Sequence, residues 1–147
     1  MHSVSESDLR FWAKFEACEV DGASFGHREH LRIAYIYLAQ HSFADASKKM
    51  ELGLRKLLAH LGAPGSKYHA TVTAAWLHAT QHAMETCGAS ADFQQFLDSG
   101  GARLLDKTIM AAHYSPHVLS SAEARRAFVA PDRKKFPEPG DRSQART

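Results

Sequence analysis

Three of the ten histidines in this 147-residue chain lie near the starts of predicted helices. His27 and His30 are three positions apart, and His69 lies near the start of a later helix. Residues spaced i, i+3 share one helical face, and apolar residues continue that face one turn further on. We therefore expect the three imidazoles to point inward. Three inward histidines can bind one divalent metal ion, Fe, Cu or Zn, and leave a position open for water or substrate.

The residues around His69 would complete such a site. Thr73 and Trp76 follow it by four and seven positions, which places all three on one helical face. We expect Tyr68 and Thr73 to be catalytic, because their hydroxyls would orient a metal-bound water or a substrate. Trp76 is expected to wall the pocket and bind substrate. Glu29 lies about 100° from its neighbouring histidines around the helix, so we expect it to act near the substrate rather than as a ligand.

Two other interpretations use the same residues. Without a metal, the histidines and Arg28 or Lys67 would hold a small anionic or aromatic ligand between helices. Alternatively, the inward polar groups only specify helix packing in an interaction protein. The first interpretation, a metal-dependent enzyme acting on a small molecule, is preferred because three inward histidines are expected at the same end of the bundle. Metal-activated water would make it a hydrolase or lyase, and a redox metal would make it an oxidoreductase.

Two further groups of histidines have ligand-like spacing. His78, His82 and Glu85 follow one another on a single helical face, but that face is about 180° from the inward stripe. We therefore expect them to lie on a solvated surface. His113 and His117 flank a proline-containing turn, and we expect them to serve that turn.

The elements that must position these residues are helices, because apolar residues recur with helical spacing and strand signals are nearly absent. The chain is predicted to be all-α, a bundle of four main helices followed by shorter C-terminal ones. In an up-down bundle the second and fourth helices are parallel, which brings the three histidines to one end. The predicted main helices cover about 5–18, 27–40, 43–61 and 68–86, and the shorter ones about 91–97, 102–113 and 121–128.

Length and composition set the limits of this interpretation. We expect one helical domain over residues 1–137 and a disordered tail over 138–147, where proline, glycine and polar residues dominate. The net charge of +2 does not indicate a nucleic-acid partner, and no apolar run is long enough for a membrane span. Cys18, Cys87 and the lack of a visible leader indicate the cytoplasm. Phe11 and Ile36 would supply the face of a homodimer.

Three segments resemble a group of small bacterial proteins of unknown function, and the resemblance covers most of residues 10–137. The segments read F-x-H-x-x-H-L at 25–31, Y-H-x-T-x-T-x-x-W at 68–76, and Y-S followed by S-x-E-A-R-x-x-F-V-x-P-D within 114–132. The resemblance carries over no activity. It implies that the segments belong together, which would bring Tyr114, Ser115, Arg125 and Asp132 toward the site. Tyr114 is therefore expected to contact the substrate.

Overall fold

Four long helices and three short ones follow one another in the computed structural model, which describes residues 1–137. Those residues form no β-strand, so the predicted all-α bundle is confirmed. The predicted tail, 138–147, lies outside the described residues. The long helices are α1 (Glu6–Glu16), α2 (His27–Gln40), α3 (Phe43–His60) and α4 (Ala70–Thr86), and the short ones are α5 (Phe93–Asp98), α6 (Pro116–Leu119) and α7 (Ala122–Arg126). Short 3₁₀ helices cover Gly22–Ser24, Gly65–Lys67, Gly101–Leu105 and Lys107–Ala112.

Side-chain caps determine where the long helices begin. Ser5 accepts a hydrogen bond from the Asp8 amide at 3.0 Å, and the Asp8 carboxylate accepts one from the Ser5 amide at 3.2 Å, so the two residues form a capping box. Ser42 caps α3 by accepting from the amide of Asp45 at 3.2 Å. Each cap satisfies an amide that the helix leaves without an internal partner.

Helix α2 is the centre of the bundle and packs against α1, α3, α4 and α5. Its residues from Ile33 to Leu38 are all buried, so no face of this stretch is free for another molecule. Ile36, predicted for a dimer face, is fully buried, and that assignment was wrong. Phe11 is half-buried beneath the guanidinium of Arg32, which lies 4.6 Å from the ring centre. A homodimer stays a prediction.

The start of α4 and the segment predicted as a helix at 102–113 differ from the prediction. Helix α4 begins at Ala70 rather than at residue 68, because His69 adopts an extended conformation and caps the helix with its side chain. The helix predicted at 102–113 is instead two 3₁₀ segments. Asp106 separates them with an extended backbone, and its carboxylate accepts from the amide of Thr108 at 2.9 Å to start the second. A short polar side chain that bonds nearby backbone in this way competes with helix continuation.

Every helix within residues 1–137 is too short or too polar to cross a bilayer.

Candidate functional site

A cavity of about 730 Å³ lies at the end of the bundle where α2, α3 and α4 meet. The first turns of α2 and α4 both line it, as their predicted parallel arrangement requires. The side formed by α3 and its C-cap is apolar and carries Met50, Leu54, Leu57, Leu58 and Leu61. The sides formed by α2 and α4 carry six of the eight predicted site residues, namely His27, His30, Tyr68, His69, Thr73 and Trp76.

Both ring nitrogens of His69 have partners within the protein. Nδ1 accepts a hydrogen bond from the Val72 amide at 3.1 Å, which caps α4. Nε2 donates to the carbonyl of Leu119 at 2.7 Å, at the end of α6. A carbonyl can only accept and an amide can only donate, so the ring carries its proton on Nε2. His69 therefore joins the start of α4 to the C-terminal part of the chain.

His27 and His30 each use one ring nitrogen and leave the other available. Nε2 of His27 donates to the Leu104 carbonyl at 2.8 Å, and Nδ1 of His30 donates to the Gly26 carbonyl at 2.9 Å. In the neutral rings, Nδ1 of His27 and Nε2 of His30 are therefore hydrogen-bond acceptors. The His27 ring packs edge-on against Trp76, with ring centres 4.3 Å apart.

The pKa of His30 is lowered from its ordinary value of 6.5, mainly because burial disfavours the charged ring. The neighbouring His27 and Lys107 lower this pKa further, while the hydrogen bond to the Gly26 carbonyl and the charge of Glu29 raise it. At neutral pH His30 therefore presents Nε2 as an acceptor rather than a cation.

Tyr68 supplies a hydroxyl that keeps its proton. Burial raises the pKa of Tyr68, and a hydrogen bond from Thr73 opposes that shift. The Arg55 guanidinium lies 4.2 Å from the ring centre of Tyr68 and covers it. The Tyr68 hydroxyl therefore stays protonated at neutral pH and can donate or accept a hydrogen bond.

No group of three or more His, Cys, Asp or Glu side chains in residues 1–137 is arranged to hold a metal ion. His69 would have to give up the Val72 amide, the Leu119 carbonyl or both before a nitrogen could bind a metal. The centre formed by His27, His30 and His69 therefore stays a prediction, and it requires a rearrangement at His69.

Glu29 and Tyr114 are the two predicted site residues that do not line the cavity. Glu29 accepts a hydrogen bond from the Gly26 amide at 2.8 Å and so caps α2. The buried hydroxyl of Tyr114 donates to the carbonyl of Val129 at 2.6 Å. The structure thus gives both side chains a local structural partner, and their predicted contact with a substrate has no geometric support in this arrangement.

Thr71 belongs to the Y-H-x-T-x-T-x-x-W segment, but no role was predicted for it. Its fully buried hydroxyl donates to the Ala127 carbonyl and accepts from the Val129 amide, both at 3.0 Å. Together with the bond from His69 to Leu119, this joins the second and third of the segments that carry the resemblance. Its position between His69 and Thr73 was the available signal, but spacing does not reveal a partner 56 residues away.

The remaining histidine groups are packed against aromatic rings. His78 was predicted to lie on a solvated surface, and this was wrong. It is half-buried with its ring centre 4.6 Å from that of Phe43 and 5.3 Å from that of Phe136. His113 stacks on Phe136 at 4.1 Å, and its Nδ1 donates to the Lys134 carbonyl at 2.7 Å. His113 therefore contacts the last part of the described chain and does not serve only the turn between His113 and His117.

The free energy of unfolding is expected to fall as pH drops from 7.5 to 5.5. Burial lowers the folded-state pKa of His30 and of His113 from the ordinary 6.5, and the Lys134 charge lowers that of His113 further. Below about pH 6.5 the unfolded chain therefore binds more protons than the folded one, and stability is lost until pH passes the folded values. Urea denaturation at both pH values measures this. His113→Gln should reduce the difference, and equal stability of the natural protein at the two pH values would contradict it.

The cavity is lined by apolar side chains together with a few polar ones. Its polar lining residues include His27 and His30, each with an acceptor nitrogen, Tyr68 with its hydroxyl, and Lys67 and Lys107, and no carboxylate belongs to its described wall. Comparison of the chain with protein-family models, curated proteins and solved structures finds no match.

Proposed function

We propose that this protein is a binding module that holds one small, mainly apolar molecule in the cavity between α2, α3 and α4. The cavity itself is the observation that carries the proposal. Its volume of about 730 Å³ falls within the range of roughly 300–1,000 Å³ typical of sites for small molecules. Such sites are lined by apolar and aromatic side chains with a few convergent polar groups, and this wall has that composition.

The apolar wall also argues for an occupant on energetic grounds. Of the five apolar side chains from α3 and its C-cap that line the cavity, three are buried, Leu58 is half-buried and Leu61 is 49% exposed, so water contacts the wall mainly at the last two. Apolar surface left in water forgoes about 25 cal/mol for each Å² that could be buried. A ligand covering this wall would recover that free energy, which gives binding a driving force independent of any metal.

Filling the cavity with a tryptophan should abolish binding of an apolar probe. Leu58 is half-buried on α3 and lines the cavity, so Leu58→Trp places an indole in the space that the ligand would occupy. Saturable fluorescence enhancement of N-phenyl-1-naphthylamine, a neutral probe, measures binding. We expect one site in the natural protein and at least about tenfold weaker binding in the variant, since 1.4 kcal/mol of lost contact suffices.

The matched control is Leu52→Trp on the same helix, where the side chain is 69% exposed and does not line the cavity. This variant should bind the probe like the natural protein. A natural protein without saturable binding, or equal binding by the two variants, would contradict the proposal. Dialysis against EDTA distinguishes the metal-dependent alternative. Loss of probe binding, restored by stoichiometric zinc, copper or iron, would support the histidine metal centre instead.

We propose that the protein is located in the cytoplasm. The two cysteines of the chain, Cys18 and Cys87, are both free thiols, and Cys18 is buried. Free thiols persist where glutathione and thioredoxin keep the compartment reducing. This supports the proposed location.

A further inference from the structure

The two residues of fixed charge in the cavity wall are both lysines. Lys67 belongs to the 3₁₀ turn that precedes α4, and Lys107 begins the second of the two consecutive 3₁₀ segments, so the two lysines line the cavity from different parts of the fold. Both residues are exposed. Within residues 1–137 the ion pairs are Arg32 with Asp8 and Arg55 with Glu51, so neither lysine has a carboxylate partner there.

Four acids adjoin cavity-lining residues in sequence, and one of them, Glu51, pairs with Arg55 while the other three accept from backbone amides. Glu29 accepts from the Gly26 amide at 2.8 Å. Asp106, next to Lys107, accepts from the amide of Thr108 at 2.9 Å and from its hydroxyl at 2.6 Å. Asp21, next to Gly22 of the cavity wall, accepts from the Ala23 amide at 3.0 Å. None of these acids lines the cavity, so Lys67 and Lys107 are the side chains of fixed charge in its wall.

The sides formed by α2 and α4 present rings. Trp76 is packed edge-on against His27, and Phe25 lies edge-on to His30 with ring centres 4.8 Å apart. The apolar side chains of α3 form the opposite side. A slot between ring faces or edges and aliphatic side chains suits a flat aromatic body, since aromatic pairs gain from offset or edge-on contact beyond simple area burial.

We propose that the ligand of this cavity is an aromatic carboxylate, with its ring system between the α3 wall and Trp76 and its carboxylate held by Lys67 and Lys107. The proposal rests on the proposed function and adds the chemical class of the ligand. Tyr68 also lines the cavity, and its hydroxyl would donate a hydrogen bond to the same carboxylate. No cation other than the two lysines and no metal is required.

Three naphthalenes of equal shape test the charge requirement by isothermal titration calorimetry. They are 2-naphthoate, 2-naphthamide and 2-naphthylmethylamine, which carry an anionic, a neutral and a cationic group on one ring system. We expect 2-naphthoate to bind roughly 5- to 20-fold more tightly than the amide, because each exposed ion pair contributes at most about fivefold in affinity. The amine should bind most weakly, and the preference for the acid should shrink at 1 M salt.

The double variant Lys67→Met/Lys107→Met should lose the preference for the acid and keep its affinity for the amide. Its matched control is Lys48→Met/Lys49→Met, which removes two exposed charges on α3 away from the cavity. Equal binding of acid and amide, or a preference that survives the double variant, would overturn this inference while N-phenyl-1-naphthylamine binding still supports the proposed function. Failure of that probe and of all three naphthalenes would overturn both.

Discussion

Replacing Asp8 with alanine should lower the free energy of unfolding by about 3–4 kcal/mol, the largest effect that we expect from a single substitution. Asp8 is 2% exposed, and its carboxylate accepts from the Arg32 guanidinium at 3.0 Å and from the Phe93 amide at 3.1 Å. It also closes the capping box with Ser5. Its loss leaves the Phe93 amide and the guanidinium without their acceptor, and breaking a buried pair from one side is strongly destabilising.

Urea denaturation followed by circular dichroism measures this effect, and Glu6→Ala is the matched control in the same helical turn. Glu6 is exposed, so its replacement should change stability by less than about 0.5 kcal/mol. The expected effect of Asp8→Ala lies in the lower part of the range for breaking a buried pair, because Arg32 is one-quarter exposed and water can partly replace its lost partner. Equal stability of the two variants would mean that the junction of α1, α2 and α5 does not depend on this carboxylate.

Replacing His69 with alanine should lower the free energy of unfolding by about 2–3 kcal/mol in a metal-free protein. The change removes the cap on the Val72 amide, worth about 0.5–2 kcal/mol, and the hydrogen bond to the Leu119 carbonyl, worth about 1 kcal/mol. It also removes packed ring volume from the cavity wall. The loss should be the same in EDTA and in buffer containing zinc, because both partners of His69 are protein atoms.

His69→Asn separates the two contributions, because asparagine is a preferred helix cap but is too short to replace the imidazole bond to Leu119. This variant should lose about half as much stability as His69→Ala. If instead the natural protein contains stoichiometric metal that both variants lose, and if only the metal-bound form is destabilised, His69 is a ligand and the structural assignment is wrong.

Helix starts were predictable because they depend on residues close together in sequence. Ser5 and Ser42 cap α1 and α3, and the amide from which each hydroxyl accepts lies three positions further along the chain. The start of α4 was not predicted in this way. His69 was expected inside α4 and is instead its cap, because an imidazole Nδ1 can accept from an amide as a serine hydroxyl does.

The gathering of polar residues at one end of the bundle was also predictable, but their partners were not. The inward face of His27, His30 and His69 follows from helical period and from the parallel arrangement of α2 and α4. Nothing in that pattern distinguishes a metal ligand from a ring that bonds a carbonyl, because both need an inward imidazole. The same limit applies to α3, whose leucine stripe has the same period whether it meets another helix or a cavity.

The sequence by itself determined the all-α class, the main helices and the residues that line one end of the bundle, because periodicity and capping are local properties of the chain. The tertiary structure alone decided what those residues do. The carbonyls of Leu104 and Leu119 reach His27 and His69 from 77 and 50 positions away, and no local pattern encodes such distant backbone atoms. It also decided that α3 leaves a space of about 730 Å³ beside α2 and α4, since cavity volume depends on how helices pack rather than on the order of their residues.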